Sequence, residues 1–177
     1  FVRDVTLSSS AFGAEYDNCE ADYNGKGIDQ LKECENLIKN DKHSRRIVMS
    51  AWNPTCMEEM ALPPCHVLCQ FYVNSEDELC LQLYQRSGDM FLGVPFNVFS
   101  YSVLLHMMAK RTGLKTGRFI HIIGDAHVYE EHLSAVKEQM RRPIYEPPSI
   151  HISDKSNWED YTIHDFEITN YTCCDRL

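Results

Sequence analysis

Apolar residues return at helical spacing in three stretches of the chain, residues 28–40, 95–110 and 129–140. Asp29 lies near the start of the first stretch and Gly113 follows the second, where helix start and stop signals are expected. Each stretch is therefore predicted to be a helix with an apolar face. The residues predicted to point inward are Ile28, Leu31, Cys34, Leu37 and Ile38 in the first helix, Val98, Tyr101, Ser102, Leu105, Met108 and Ala109 in the second, and Leu133 and Val136 in the third.

Runs rich in β-branched and aromatic residues alternate with these helices. Residues 65–73 and 78–86 are two such runs, and the turn-forming residues 74–77 between them predict an antiparallel hairpin. Helices combined with a mixed, largely antiparallel sheet give the α+β class, here as a single domain over residues 1–177. Further strands are predicted at residues 46–52, at residues 119–123 as a buried strand, and at residues 149–153 and 165–171.

Composition is that of a soluble globular protein, with 177 residues, 44% of them hydrophobic and 24% charged. The net charge of −9 disfavours broad binding to nucleic acid, although a few clustered arginines can still hold a small anion. No apolar run reaches the length of a membrane span, and the start of the chain lacks the pattern of a secretory signal. The eight cysteines match no zinc spacing, so we interpret them as mostly buried thiols of a cytosolic protein.

The hairpin brings a thiol and a cation into register. If the loop has four residues, Val73 pairs with Glu78, and counting outward places Cys65 opposite Arg86. Opposite residues of an antiparallel pair share a face of the sheet. A guanidinium beside a thiol favours the thiolate, which is the nucleophilic form. A register slip of one residue would separate the pair.

Two alternatives weigh against a catalytic interpretation of this segment. Cys65 taken alone is more typical of an inert core cysteine. His66 follows it directly, but neighbouring strand residues point to opposite faces, so a protease-type Cys-His dyad is disfavoured. His66 is predicted instead to support a wall of the site through hydrogen bonds.

Other polar residues gather at the predicted ends of strands and helices. Arg45 and Arg46 precede a strand, and they are either solvated surface residues or a bidentate phosphate clamp. Asn97, near a helix start, is a helix cap, a residue with a structural hydrogen bond, or an amide that reads the edge of a base. Two segments, residues 85–89 and 124–129, offer amide, cationic, hydroxyl and carboxylate groups. Taken separately, these segments do not distinguish nucleotide chemistry from structural hydrogen bonding.

Together, and in this order, these segments resemble thymidylate synthase. The likeness covers residues 12–171, and four ordered motifs over that span are very specific. The segments that carry it are Ala61-Leu62-Pro63-Pro64-Cys65-His66 with Gln70-Phe71-Tyr72-Val73, then Tyr84-Gln85-Arg86-Ser87-Gly88-Asp89-Met90, Gly93-Val94-Pro95-Phe96-Asn97 and Gly124-Asp125-Ala126-His127-Val128-Tyr129. Phe12-Gly13-Ala14-Glu15-Tyr16, Ser44-Arg45-Arg46 and Ala51-Trp52-Asn53-Pro54 fit the eukaryotic type.

The resemblance implies a chemistry and a set of roles. Cys65 would add to the sixth carbon of the uracil of dUMP, and methylenetetrahydrofolate would supply a methylene and a hydride, leaving dTMP and dihydrofolate. Arg86 and Asn97 would complete the catalytic set, with Asn97 on the uracil amide edge. The other implied roles are phosphate binding by Arg86 and Ser87 and, across a homodimer interface, by Arg45 and Arg46; base contact by the Asp89 backbone; ribose binding by His127 and Tyr129; folate contact by Asp89, Leu92, Gly93 and Phe96; and support by His66 and Gln85.

The resemblance also implies partners and an assembly. The expected ligands are dUMP and folate with no metal, the expected assembly is a homodimer formed through a sheet face, and the expected location is the cytoplasm, with the nucleus and the mitochondrion as alternatives. The family has a longer amino-terminal portion, which predicts a domain whose N-terminal part is missing. Two other hypotheses are a truncated, inactive chain that binds nucleotide or pairs with an intact subunit, and an RNA-binding regulator, which the acidic charge does not support.

Overall fold

The computed structural model describes residues 29–52 and 62–176. The helices are α1 (Gln30–Asn40), α2 (Gly93–Thr112) and α3 (Leu133–Gln139). The strands are β1 (Val48–Ser50), β2 (His66–Val73), β3 (Glu78–Asp89), β4 (Lys115–His127), β5 (Ser149–Ile152) and β6 (Phe166–Thr169). Single 3₁₀ turns lie at Glu130–His132, Trp158–Asp160 and Ile163–Asp165.

Strands β1 to β4 form one sheet in sequential order. The β1–β2 and β2–β3 pairs are antiparallel, whereas β3 and β4 run parallel because α2 carries the chain back between them. Strands β5 and β6 form a separate antiparallel pair. This arrangement confirms the predicted α+β class and the mixed, largely antiparallel sheet.

One face of the four-stranded sheet packs against α2 and forms the core. Phe71, Leu81 and Leu83 project from the strands and are fully buried, as are Leu105 and Met108 of α2. Burial of apolar side chains of this size stabilises the fold by roughly 1.5–3 kcal/mol each. The core also takes in the apolar face of α1 and, from the C-terminal segment, Ile152, Trp158 and Tyr161.

Helix α1 confirms its sequence prediction. The side chain of Asp29 accepts a hydrogen bond from the backbone N–H of Lys32 at 3.1 Å, which caps the first turn. The predicted inward residues Leu31, Cys34 and Ile38 are buried and Leu37 is partly buried, whereas Ile28 lies outside the described residues. Burial raises the pKa of the Cys34 thiol to about 12, as expected for the inert core cysteines that the composition predicted.

Helix α2 is longer than predicted and buries more than one face. It ends at Gly113, whose φ of 71° is left-handed, as the stop signal indicated. The inward position predicted for Val98 is wrong, since this side chain is 38% exposed, whereas Val103 and Leu104 are buried. The helix is apolar on several sides because it contacts α1 as well as β3 and β4.

Three other predictions are wrong in part. The helix predicted at residues 129–140 is a 3₁₀ turn followed by the short α3, and α3 has no buried residue. Its predicted inward residue Leu133 is 46% exposed. The strand predicted as buried is the longer β4, whose Ile122 is 43% exposed because it lies on the sheet face that turns away from α2. Strand β1 is shorter than predicted, whereas β5 and β6 agree with their predicted positions.

The predicted hairpin register is wrong by one residue along most of its length. Val73 pairs with Leu79 rather than with Glu78. Asn74 and Glu78 close the loop, since the Asn74 N–H donates to the Glu78 carbonyl at 3.0 Å. The loop therefore has three residues instead of four, and its last residue, Asp77, adopts a left-handed φ of 58°.

A β-bulge corrects this register before the hairpin reaches its open end. Leu68 pairs with Tyr84, but His66 pairs with Gln85, so β2 contains one extra residue between Leu68 and His66. The bulge and the shorter loop are two errors of one residue in opposite directions. They cancel, and the open end of the hairpin has the register that the sequence predicted.

A buried ionic cluster joins α1, α2 and the C-terminal segment. The carboxylate of Glu35 accepts hydrogen bonds from Arg111 at 3.0 and 3.1 Å, from Lys39 at 2.6 Å and from the Trp158 indole at 2.6 Å. Arg111 also lies over the Trp158 ring at 4.6 Å and donates to the Lys155 carbonyl at 3.0 Å. We refer to Glu35, Lys39, Arg111 and Trp158 as the Glu35 cluster.

The ionised state of Glu35 is favoured inside this cluster. Desolvation by burial raises its pKa, but the hydrogen bonds from Arg111, Lys39 and Trp158 outweigh that effect and leave the pKa below its usual value. Within residues 29–52 and 62–176, no helix is both long enough and apolar enough to cross a membrane.

Candidate active site

The ends of three strands and one helix meet on one side of the sheet, at the ends of its strands, which we call the sheet edge. Because β3 and β4 are parallel, their carboxyl ends lie side by side, with Ser87 opposite Asp125 and Asp89 opposite His127. Strand β2 is antiparallel to β3, so its amino end reaches the same edge. Helix α2 begins four residues after β3 ends. Most of the residues predicted to bind ligand therefore belong to this edge.

Cys65 and Arg86 are joined through the backbone at this edge. The Arg86 N–H donates to the Cys65 carbonyl at 2.8 Å, one residue beyond the His66–Gln85 pair. The Arg86 guanidinium donates to the carbonyls of Pro64 at 3.2 Å and Pro63 at 2.6 Å. The cation is thus held along the two residues that precede the half-buried Cys65.

His66 lies on the helix side of the sheet. Its Nδ1 is 2.8 Å from the Tyr101 hydroxyl on α2, and the two rings meet edge to face at 5.9 Å. Burial lowers the pKa of His66, which favours the neutral ring. This geometry fits a supporting role better than that of a base acting on the thiol.

Gln85 is the centre of a neutral hydrogen-bond network. Its side chain is only 2% exposed. Its Nε2 donates to the Ser87 carbonyl at 2.8 Å and to Asn97 Oδ1 at 3.0 Å, and its Oε1 is 2.9 Å from His121 Nε2. Burial lowers the pKa of His121, which favours a neutral ring here as well. We refer to Gln85, Asn97, His121 and the Ser87 carbonyl as the Gln85 network.

Asn97 is not a helix cap, so that alternative is wrong. The N-cap position of α2 is Leu92, and no side chain caps it. Asn97 is half-buried, and its Oδ1 accepts a hydrogen bond from Gln85, as the alternative of a structural hydrogen bond predicted. Within the described part of the chain its Nδ2 makes no hydrogen bond, which leaves a donor available.

The end of β4 supplies the predicted ribose-binding residues. His127 Nδ1 is 2.9 Å from Asp125 Oδ1, and the His127 and Tyr129 rings meet edge to face at 5.1 Å. Tyr129 is 51% exposed. Gly124 allows β4 to approach β3 here, because a Cβ atom at Gly124 would lie 2.9 Å from the Arg86 carbonyl oxygen. The segment of residues 124–129 thus abuts the strand that carries Arg86.

The connection between β3 and α2 holds the predicted folate-side residues. Asp89 Oδ1 accepts from the backbone N–H groups of Phe91 at 3.0 Å and Leu92 at 3.3 Å, which fixes this turn. Leu92 is 49% exposed and Phe96 55% exposed. Together with the half-buried Gly93 they form an apolar rim beside the network.

Arg45 and Arg46 do not belong to this edge. Both are exposed in the turn before β1, and Val48 of β1 pairs with Gln70 of β2. By this register Arg46 lies level with the far end of β2, about 23 Å along the strand direction from Cys65 at roughly 3.3 Å per residue. These two arginines are therefore remote from the candidate site of their own chain.

Sequence reasoning overlooked three residues near this edge. His121 lies between two isoleucines in a predicted strand, and a histidine on the inward face of a strand was the available signal. Tyr101 was predicted only as a core residue, although it bonds His66. His132 packs against Phe91 and Tyr129, and its buried Nδ1 has no partner within the described ranges.

The described residues contain no group of three or more histidine, cysteine, aspartate or glutamate side chains that could hold a metal ion. The segments Phe12-Gly13-Ala14-Glu15-Tyr16 and Asn53-Pro54, on which part of the family resemblance rests, lie outside the described residues, as does Ala61.

Comparisons with known proteins agree with the ordered motifs. The family model for thymidylate synthase matches residues 6–177. Human thymidylate synthase is 52% identical over 161 residues, which are 90% of this chain and 51% of the human protein. Thymidylate synthase of human herpesvirus 8 type P is 52% identical over 161 residues, 90% of this chain and 48% of the viral protein.

A bifunctional dihydrofolate reductase-thymidylate synthase of Paramecium tetraurelia is 46% identical over 166 residues, 94% of this chain and 36% of that protein. The chain thus spans about half, or less, of the length of these curated relatives.

Proposed function

Because the chain belongs to the thymidylate synthase family, we propose that the protein carrying it methylates dUMP to dTMP with Cys65 as the nucleophile. The observation that carries this proposal is the convergence of Cys65, Arg86, Asn97 and His127 at one edge of the sheet. These residues come from four separate motifs, and a pyrimidine nucleotide needs a nucleophile, a cation and an amide near one another.

The reaction begins with addition of the Cys65 sulfur to the sixth carbon of uracil. This addition makes the fifth carbon nucleophilic, and methylenetetrahydrofolate, bound as co-substrate, supplies the methylene group and then a hydride. The fifth carbon loses its proton, the thiolate is expelled, and tetrahydrofolate leaves oxidised to dihydrofolate. Covalent addition divides a difficult carbon alkylation into easier steps.

The phosphate of dUMP is proposed to bind Arg86 and Ser87. Arg86 is held by the carbonyls of Pro63 and Pro64, so its position is set before ligand arrives. A cation fixed in this way can neutralise the phosphate and orient the ring for attack. Ser87, one residue further along β3, would add a hydroxyl donor.

Asn97 is proposed to read the uracil amide edge. Its Nδ2 would donate to the oxygen on the fourth carbon, and Oδ1, which has a second lone pair, would accept the ring N–H. Gln85 is proposed to support this amide through their bond at 3.0 Å. The Asp89 backbone would contact the base from the end of β3.

His127 and Tyr129 are proposed to bind the ribose hydroxyl, since both rings lie at the end of β4 beside Asp89. Leu92, Gly93 and Phe96 would contact folate. Two of these side chains are exposed large apolar groups next to the nucleotide edge, which suits the aromatic body of a pterin.

A homodimer is proposed through the sheet face that turns away from α2. Val48, Tyr84 and Ile122 belong to this face and are 40%, 39% and 43% exposed. Arg45 and Arg46 are exposed and remote from their own Cys65, so the phosphate they would bind belongs to the other subunit's nucleotide. Dimerisation would then both cover the apolar sheet face and complete the phosphate site.

The test is covalent capture on Cys65 in the native polypeptide that carries this chain. With 5-fluoro-dUMP and methylenetetrahydrofolate, fluorine replaces the proton that must leave the fifth carbon, so the adduct should accumulate. Mass spectrometry should place nucleotide plus folate on the Cys65 peptide. Turnover of dUMP to dTMP should be lost in Cys65→Ser by about a thousandfold or more.

Cys173→Ser is the matched control, because Cys173 is also a free thiol but lies exposed near the end of the chain. It should keep both adduct and turnover. Nucleotide binding without adduct or dTMP would instead support the truncated, inactive alternative. Absence of any dUMP binding would overturn the proposal.

A further inference from the structure

His121 is an inward-facing histidine that the proposed reaction does not use. It lies on β4, opposite Leu83 of β3, and the Phe119 ring is its neighbour at 5.7 Å. Its Nε2 is 2.9 Å from Gln85 Oε1, and Gln85 in turn bonds Asn97. His121 is thus two hydrogen bonds away from the amide proposed to read the base.

The direction of these hydrogen bonds follows from one group that can only accept. The Ser87 backbone carbonyl lies 2.8 Å from the Gln85 amide, so the atom facing it must be the Nε2 donor. The same NH₂ group donates its other hydrogen to Asn97 Oδ1. Gln85 Oε1 is left facing His121 and can only accept, so His121 Nε2 must carry a hydrogen.

We propose that His121 is a positioning residue that, by donating to Gln85, fixes which end of the Asn97 amide faces the nucleotide. The inference rests on the proposed function, because it assigns a specificity role within the same site. With Oδ1 held by Gln85, Asn97 turns Nδ2 toward the ligand. That arrangement matches an acceptor at the fourth carbon of uracil and opposes the amino group of cytosine.

The Ser87 carbonyl and the His121 N–H together fix the orientation of the Gln85 amide, and loss of His121 leaves only the carbonyl. Gln85 Oε1 would then be buried without a partner, and the amide can regain a partner for it only by rotating. Rotation turns Oε1 toward Asn97 and reverses the donor and acceptor ends in sequence, but it also places Oε1 against the Ser87 carbonyl. Each orientation of the Gln85 amide then leaves a buried acceptor unpaired, so the strong preference for one orientation is lost. The Asn97 amide then presents both orientations, and discrimination between uracil and cytosine nucleotides falls.

The experiment measures dissociation constants for dUMP and dCMP by calorimetry in the native polypeptide, in His121→Leu and in His121→Gln. Wild type should prefer dUMP, and His121→Leu should lower the dCMP-to-dUMP ratio of dissociation constants by about tenfold. His121→Gln supplies an N–H near the position of Nε2 and should restore the ratio. A merely structural effect would weaken both nucleotides alike and leave the ratio unchanged.

A second measurement does not depend on the folding of His121→Leu. With ¹⁵N-labelled histidine, the ring signals of His121, identified by their absence in His121→Gln, should show the Nε2–H tautomer at neutral pH. The Nδ1–H tautomer would overturn the inference, and so would an unchanged ratio in a wild type that prefers dUMP. A wild type that binds neither nucleotide would overturn the proposed function itself and this inference with it.

Discussion

The Glu35 cluster and the Gln85 network are both buried and hydrogen-bonded, but the first is ionic and the second is neutral. In the Glu35 cluster four donor bonds fall on two carboxylate oxygens, from α1 itself, from α2 and from the C-terminal segment. In the Gln85 network the bonds run in one direction, from His121 through Gln85 to Asn97.

The difference follows from what each arrangement can do. A carboxylate saturated by donors holds separate elements together. Removing one residue of the cluster leaves a buried charge without its partner, which carries a large desolvation cost. A directed chain of neutral amides has little attraction at a distance, but it can fix the orientation of the amide at its end. We therefore expect the Glu35 cluster to govern stability and the Gln85 network to govern ligand selection.

Glu35→Ala should have the largest effect on stability. It leaves the Arg111 guanidinium, whose side chain is only 11% exposed, without its carboxylate. We expect a loss of about 3 kcal/mol in the free energy of unfolding, measured by urea denaturation. Protein that remains folded should keep its dUMP affinity.

Glu33→Ala is the matched control, since Glu33 is exposed in the first turn of the same helix. It should cost less than about 1 kcal/mol. Equal losses in the two variants would show that Glu35 contributes through helix charge alone, and the contrast between cluster and network would then fail.

Gln85→Leu should affect ligand selection more than stability. It removes the centre of the network at similar volume and leaves His121 and the Ser87 carbonyl without this partner, which should cost about 1–2 kcal/mol in unfolding free energy. The preference for dUMP over dCMP should fall by about tenfold or more. Calorimetry with both nucleotides measures the preference.

Gln82→Leu makes the same change on the same strand, at a half-buried position on the opposite face. It should leave the preference unchanged. If both variants reduce the preference alike, strand β3 acts as a whole and Gln85 has no special role.

As the pH is lowered, the Gln85 network should weaken first and the Glu35 cluster second. Burial lowers the pKa of His121, as it does for His66 and His106, so its contribution to stability is fully present above the ordinary value of 6.5. This contribution is lost as pH falls below 6.5 toward the folded-state pKa. His121→Gln should flatten the stability curve in that range.

The Glu35 cluster should respond at lower pH. Its carboxylate pKa lies below the ordinary 4.5, since its hydrogen bonds outweigh desolvation, so its contribution is present above pH 4.5 and is lost as pH falls through the folded-state pKa. Glu35→Gln should flatten the curve only there. Chemical denaturation at several pH values measures both effects, and a single common transition would contradict the separation.

Local patterns in the sequence predicted the elements that position the site. The cap at Asp29, the stop at Gly113 and the two strands of the hairpin all follow from residues close in sequence. The sheet edge could be predicted because strand direction fixes which ends meet. The motifs that resemble thymidylate synthase then identified which side chains at that edge to consider.

Contacts between distant residues could not be predicted in this way. The periodicity of α1 gave no reason to bury Glu35, because its partner Arg111 is 76 residues away. His121 is likewise 36 residues from Gln85. The sequence placed Cys65 opposite Arg86 correctly only because two errors in the predicted register cancel. One of them is the bulge in β2, which the sequence did not reveal.

The smallest effect on stability is expected at an exposed ion pair, which serves as the reference for the buried Glu35 cluster. Lys42 Nζ lies 2.7 Å from Asp77 Oδ1, but the side chains are 40% and 65% exposed, so solvent screens the pair. Asp77→Asn removes the charge and keeps a residue type that tolerates the left-handed φ of 58°.

We therefore expect the midpoint of thermal unfolding to stay the same within error in Asp77→Asn. Asp77→Val is the matched contrast, because a β-branched residue is strained at this φ, and it should lower the midpoint through the loop rather than the charge. If Asp77→Asn lowers the midpoint as much as Glu35→Ala does, burial is not what distinguishes the Glu35 cluster. Charge pairing as such would then account for its stability, and the neutral character of the Gln85 network would have no bearing on its proposed role.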